Sequence, residues 1–317
     1  MTKKRLVGVF DSGVGGLTVV KEILAKIQGI DIVYFGDTAR APYGNRSKEE
    51  LIEFGQQSIS FLINQGAEII VVACNTSSAN ALPALYKRFD LPLIGTIEAG
   101  ASLAIKMTVN GKIGMIGTER TVLSNAFGQA IDEALAKGVY PEKREARDAL
   151  LDGNLQVSLV KAQACPLFVP LVEAGLAGSV EAEEIAKNYL LSLKEAGVDT
   201  IILGCTHYPY LNPITKKIMG SGVRLADPAL EMVDKLKLAL EQLEKNESDK
   251  VSIPREDCRE IENSLNTEVG CFENSRDLNQ VTYYVSGDPG LFCRVGNSLM
   301  ENSINLKDII QQDLSAK

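Results

Sequence analysis

Two segments of this 317-residue chain repeat one another in register. Gly66-Ala-Glu-Ile-Ile-Val-Val-Ala-Cys74-Asn-Thr aligns with Gly197-Val-Asp-Thr-Ile-Ile-Leu-Gly-Cys205-Thr-His. In each copy a helical stretch stops at glycine, an acid lies two residues on, and an apolar run follows. Cysteine stands eight residues after the glycine in both. A second pair supports the first: Val7-Gly8-Val9-Phe10-Asp11-Ser12 resembles Ile113-Gly114-Met115-Ile116-Gly117-Thr118. The first pair is offset by 131 residues and the second by 106, so the second half holds 25 more residues between these elements. The polar segment 137–154 is the expected place for them.

The periodicity around the repeat sets the fold class. Leu6 to Phe10 is a short apolar run, Leu17, Val20, Leu24 and Ile27 follow at helical spacing, and Ile32 to Gly36 is apolar again. Strand, glycine-rich turn, helix and strand make a βαβ unit, which implies a parallel sheet. Leu51, Ile52, Ile59, Leu62 and Ile63 mark a further amphipathic helix, as do Ile185, Tyr189, Leu193 and Ala196. Ile69 to Val72 is apolar throughout, as a parallel strand covered on both faces should be. The chain therefore reads as two related α/β domains, with residues 1–98 plus 210–317 in one and 99–209 in the other. In open α/β sheets ligands bind beyond the carboxyl ends of the strands. Both repeated cysteines sit at that end, so facing domains would turn Cys74 and Cys205 into one cleft.

Composition narrows the function. Hydrophobic residues make up 45% and charged residues 23%, enough apolar material for a buried core. The net charge is −8, and residues 241–280 alone carry 11 Asp/Glu against 5 Lys/Arg. The acidic stretch, about residues 245–280, is expected to be a solvated extension. No basic patch stands out, which argues against nucleic acid as the main partner. No apolar run approaches the roughly 18 residues of a membrane span, and MTKKRLVGVFDSG holds no export core. A soluble, cytoplasmic protein is expected. Its six cysteines should then be thiols, and without Cys-x-x-Cys and with one histidine no metal site is expected.

Two motifs carry chemistry. Asp11-Ser-Gly-Val-Gly-Gly16 departs from the dinucleotide fingerprint, because position 18 is Thr. It reads equally as a tight βα turn capped by Ser12 or Asp11, or as a carboxylate-binding turn. Cys74-Asn75-Thr76 recurs as Cys205-Thr206-His207. A lone cysteine after a buried strand is usually a small hydrophobe. A repeated one followed by polar donors suggests a pair of acid/base groups. A thiol needs a lowered pKa or a nearby base to accept a proton, and Asp11 and His207 are candidate shuttles. Removing a proton from one face of a carbon and returning it on the other needs two such groups related by a pseudo-twofold axis, which is racemisation or epimerisation.

The blocks VGVFDSGVGGLTV, GDTARAPYG, ACNTSSANAL, GTERTV, ACPLFVPLVE, GCTHYPYL and, at 285–289, VSGDP resemble the glutamate racemase family. That family lies within the cofactor-independent aspartate/glutamate racemases. The resemblance implies two flavodoxin-like domains related by pseudo-twofold symmetry, with parallel sheets and the active site between them. It implies Cys74 as the thiol acting on D-glutamate and Cys205 as the one acting on L-glutamate. Asp11 would assist Cys74, while Glu173 and His207 would assist Cys205. Substrate contacts would come from Asp11, Ser12, Tyr43, Gly44, Asn75, Thr76, Thr206 and His207, with Thr121 favoured over Thr118. Arg40 reads as a structural charge, and Cys165, Cys258, Cys271 and Cys293 as thiols without a role in the chemistry. No cofactor is expected, a homodimer is, and the D-glutamate would supply peptidoglycan synthesis. On the same resemblance no long N-terminal activation segment is expected ahead of the first strand.

Overall fold

The structure is a computed structural model that describes residues 4–251, 279–300 and 303–314. Strands β1 (Arg5–Asp11), β2 (Ile30–Gly36), β3 (Ile69–Val72) and β4 (Leu93–Gly95) begin one sheet. Strands β5 (Lys112–Gly117), β6 (Ser158–Ala164), β7 (Thr200–Gly204) and β8 (Arg224–Ala226) form a second. The chain then returns to the first sheet with β9 (Val281–Val285) and β10 (Ile309–Gln311). The strand orders are β10-β9-β2-β1-β3-β4 and β6-β5-β7-β8, and the ladders joining them are parallel.

The sequence repeat is a structural repeat. β2-β1-β3-β4 and β6-β5-β7-β8 have the same order, and the register is the same too. Val7 faces Ile69 in one sheet, and their repeat equivalents Ile113 and Thr200 face one another in the other. The glycines that open the repeat have a physical reason. Gly66 and Gly197 adopt φ of +94° and +69° after their helices, a region that side chains other than glycine's strain to enter. The second half's extra residues fall between β5 and β6, where helix Arg144–Leu151 lies within the segment 137–154.

Two long helices tie the halves together. Helix Thr96–Met107 follows β4 but packs on β7 and β8, while helix Pro228–Val251 follows β8 and packs on β3 and β4. They also pack on each other. Gly100 permits this, since a Cβ there would stand 3.0 Å from Pro228 Cγ, and Lys106 Nζ donates to Glu231 Oε1 at 2.6 Å. Each half thus lends a helix to the other. One buried apolar cluster runs from Leu17 and Val20 of the first half to Phe168, Leu203 and Tyr208 of the second.

One expected boundary moves. The second domain was expected to end at 209, yet β8 at Arg224–Ala226 pairs with β7, so the second sheet reaches residue 226. A three-residue strand is too short to write a period into the sequence. Most of the acidic stretch, with Cys258 and Cys271, lies outside the described residues. Among the described residues no helix is long and apolar enough to cross a membrane.

Candidate active site

The carboxyl end of β1 delivers Asp11, whose side chain is fully buried. Its Oδ2 accepts from the Gly13 N–H at 2.9 Å, and its Oδ1 has no hydrogen-bond partner among the described residues. Burial raises its pKa, against the opposing pull of His207 and the Gly13 and Gly16 N–H groups. The glycine turn that follows is held by Tyr34, whose hydroxyl donates to Gly13 O at 2.6 Å.

Cys74 lies past the end of β3, immediately before helix Asn75–Asn80. Its Sγ donates to the Ser12 hydroxyl across 3.5 Å. Burial first, then the charge of Asp11, push this thiol up to about 11, against hydrogen bonds from Ser12 and Ser77. At neutral pH Cys74 therefore rests as a thiol. Beside it, Asn75 Oδ1 and Ser77 Oγ are buried and lack partners among the described residues.

Cys205 occupies the equivalent place after β7. Its Sγ stands 3.8 Å from His207 Nδ1, and His207 Nε2 stands 2.9 Å from Glu173 Oε1 at the end of helix Phe168–Glu173. Burial alone would lower the imidazole pKa, but the contacts with Cys205 and Glu173 outweigh it and raise it to about 10. The protonated ring offers one N–H to the carboxylate and turns the other toward the sulfur.

Both thiols line one cavity of about 560 Å³. The first half contributes Ser12, Tyr43, Gly44, Asn75 and Thr76 to its wall, and the second half Thr118, Glu173, Thr206 and His207. Asp11 and Thr121 stand behind the wall. Thr121 is fully buried, and its hydroxyl meets that of Thr118 at 2.9 Å. Thr118 in turn meets Thr76 from the other half at 2.9 Å. The repeat could have drawn attention to Thr118, because it aligns with Ser12. Cys165, fully buried, also lines the cavity, and burial pushes its thiol well up.

Tyr43 and Gly44 belong to a short helical turn anchored on buried Asp37. Tyr43 donates its hydroxyl to Asp37 Oδ2, Arg40 Nε donates to the same oxygen at 2.6 Å, and Ser286 Oγ donates to Oδ1 at 2.7 Å. Arg40 also lies 4.1 Å over the Phe54 ring. It is therefore a structural charge that braces the turn. No cluster of His, Cys, Asp and Glu among the described residues could hold a metal ion.

Comparison with known proteins bears on this geometry. The sequence profile of the Asp/Glu/Hydantoin racemase family matches residues 19–236. A glutamate racemase from Geobacter metallireducens is 37% identical over 313 residues, which cover 99% of this chain and 98% of that protein. The crystal structure of glutamate racemase isoform RacE1 from Bacillus anthracis superposes with a TM-score of 0.76 at 32% identity, covering 100% of both chains. Glutamate racemase from Francisella tularensis, solved in complex with D-glutamate, gives a TM-score of 0.73 at 30% identity, covering 99% of each chain. A repeated strand that brings one thiol from each half to a shared cavity is thus found in a chain that the family profile matches over residues 19–236, and this chain belongs to the Asp/Glu/hydantoin racemase family.

Proposed function

We propose that this racemase interconverts L- and D-glutamate by a two-thiol proton transfer without a cofactor, and that it supplies D-glutamate for peptidoglycan. The observation that carries the reading is that Cys74 and Cys205 line one cavity from equivalent strand ends of the two halves. With L-glutamate bound, Cys205 as thiolate takes the α-proton and becomes a thiol. Cys74 gives its proton to the opposite face and becomes a thiolate. The reverse reaction starts from that state. Asp11 on one side, and His207 with Glu173 on the other, hold and return the protons.

The α-proton of an amino acid is weakly acidic, so the developing negative charge needs oriented donors. The Ser12, Thr76, Thr118 and Thr206 residues lining the cavity supply hydroxyls, and the strand ends supply N–H groups. Glutamate's two carboxylates fix its α-carbon between the thiols. Aspartate, one methylene shorter, leaves donors unpaired or shifts that carbon, and a shift of about 1 Å costs on the order of 100-fold in rate.

The test is turnover of each glutamate enantiomer in D₂O by metal-stripped, pyridoxal-free protein. The expected result is solvent deuterium at the α-carbon of the product, with aspartate about 100-fold poorer in kcat/KM. Product without deuterium, or aspartate turned over equally well, would overturn the reading. A cytoplasmic homodimer is part of the same proposal. Light scattering on the purified chain should give twice the 34.3 kDa chain mass.

A further inference from the structure

His207 is positioned by more than its own half of the molecule. Gly15, in the glycine turn of the first half, lies against it. A Cβ on Gly15 would stand 2.2 Å from Thr206 Oγ1, 2.5 Å from His207 Nδ1 and 2.6 Å from its Cε1. The turn is therefore a close-fitting wall behind the imidazole, and only glycine leaves room for the ring. Thr18, buried in the first turn of helix Leu17–Lys26, adds a polar contact. Its hydroxyl stands 2.9 Å from Gly15 O and 3.3 Å from Thr206 O, the second contact joining residues 188 apart in the chain. The Thr206 carbonyl belongs to the peptide that leads into His207. Holding that oxygen fixes the plane of the peptide and hence the origin of the His207 side chain. Glu173 holds the far end of the ring at 2.9 Å.

We infer that Thr18 is a positioning residue: with Gly15 it registers the glycine turn of the first half against the Thr206–His207 peptide of the second, and so sets where the imidazole stands relative to Cys205. A bond from Thr18 to Gly15 alone would be an ordinary local contact at a helix start. The reach to Thr206, together with the steric fit of Gly15 against His207, makes it a latch between the halves. Neither Gly15 nor Thr18 lines the cavity, so their effect on the reaction runs through His207. The inference rests on the proposed reading of His207 as the helper of Cys205.

The experiment uses Thr18→Val, which keeps the shape and removes the hydroxyl, Thr18→Ser, which restores it, and Gly15→Ala. The chain has one histidine, so its ring-proton NMR resonances report His207 directly, with or without turnover. In Thr18→Val those resonances should move. kcat/KM should fall about 10-fold, and equally for both enantiomers because the equilibrium constant is one, a loss on the scale of one hydrogen bond. The isotope effect on α-deuterated L-glutamate should rise relative to that on the D-isomer, since Cys205 serves the L side. Thr18→Ser should return turnover to within about 2-fold of wild type. Gly15→Ala should displace the resonances further by pressing directly on the ring, and if Thr18→Val does not fold, Thr18→Ala decides in its place by the same readouts. Folded Thr18→Val with unmoved histidine resonances and wild-type turnover would overturn the latch. Failure of the wild-type chain to racemise glutamate would instead end the functional reading, and the resonance shift would still decide the latch.

Discussion

The His207 imidazole is held 2.9 Å from the Glu173 carboxylate, and among the described residues no such pair stands beside the other thiol. Cys74 has the Ser12 hydroxyl at 3.5 Å and a buried carboxyl, Asp11, behind it. The backbone repeat is close to symmetric, but the titratable groups beside the two thiols are not. One thiol faces a group that carries positive charge, and the other faces groups that carry none or carry negative charge. On the proposed mechanism, that asymmetry should give the two faces of the reaction different chemical signatures.

Both thiols should be indispensable. Serine is a far weaker acid than cysteine, so Cys74→Ser and Cys205→Ser should each cut racemisation by at least about 100-fold. Chiral analysis of product from each enantiomer checks this. Near-normal turnover by either variant contradicts the two-thiol mechanism.

The helpers should act on separate sides. Asp11→Asn should raise the isotope effect on α-deuterated D-glutamate, and His207→Asn that on the L-isomer. In both variants kcat/KM must fall equally for the two enantiomers, which have the same free energy. Matching isotope effects in both variants and both directions would show that the helpers are not assigned to sides.

The Glu173–His207 pair should be visible in stability as a function of pH. The folded-state pKa of His207 is raised from 6.5 to about 10. Between those values the native chain binds more proton than the unfolded chain, so this contribution falls as pH rises. It is fully present below 6.5 and lost as pH climbs through about 10. Glu173→Gln should narrow that window by removing one source of the upward shift. The stability gap between wild type and variant should therefore be widest at the low end of the window and close toward its top. Urea unfolding across a pH series measures it. A gap that widens with pH reverses the sign and refutes the pairing.

Asp37 should control binding more than chemistry. It is buried and braces Tyr43, Arg40 and Ser286, but it does not line the cavity. Asp37→Asn should raise KM through a loosened Tyr43–Gly44 turn while kcat changes less. Asp37→Ala leaves buried donors and the Arg40 charge unpaired, and should destabilise the fold by about 3–5 kcal/mol. Steady-state kinetics and denaturant melts separate the two effects. A kcat loss with KM unchanged in Asp37→Asn would place this residue in the chemistry instead.

Much of the fold was legible because buried parallel strands leave a strong record. Ile69–Val72 and its partner copy are apolar runs bounded by a glycine stop and a polar strand end, and that pattern located both Cys74 and Cys205. The register identity of Val7 with Ile69 and Ile113 with Thr200 follows from the same repeat. Less legible was β8, whose three residues give no period. Thr118 and Thr121 share one helix start. Which hydroxyl reaches the cavity depends on the direction of helix Glu119–Leu123 and not on the spelling of the motif.

The sequence by itself determined the two α/β halves, their parallel strands and the cysteine at the end of each repeated strand. These depend on local periodicity and on backbone conformations that single residues impose, such as the positive φ of Gly66 and Gly197. The family resemblance already pairs Asp11 with Cys74, and Glu173 and His207 with Cys205; only the tertiary structure decided the contacts by which these groups are held. It brought Glu173 to His207, pinned Arg40 beneath the Tyr43 turn and pressed Gly15 against the imidazole. The physical reason is distance along the chain. Contacts such as Thr18 with Thr206, 188 residues apart, depend on how the two halves sit against one another, with helices Thr96–Met107 and Pro228–Val251 packed together between them, and no local pattern encodes that angle.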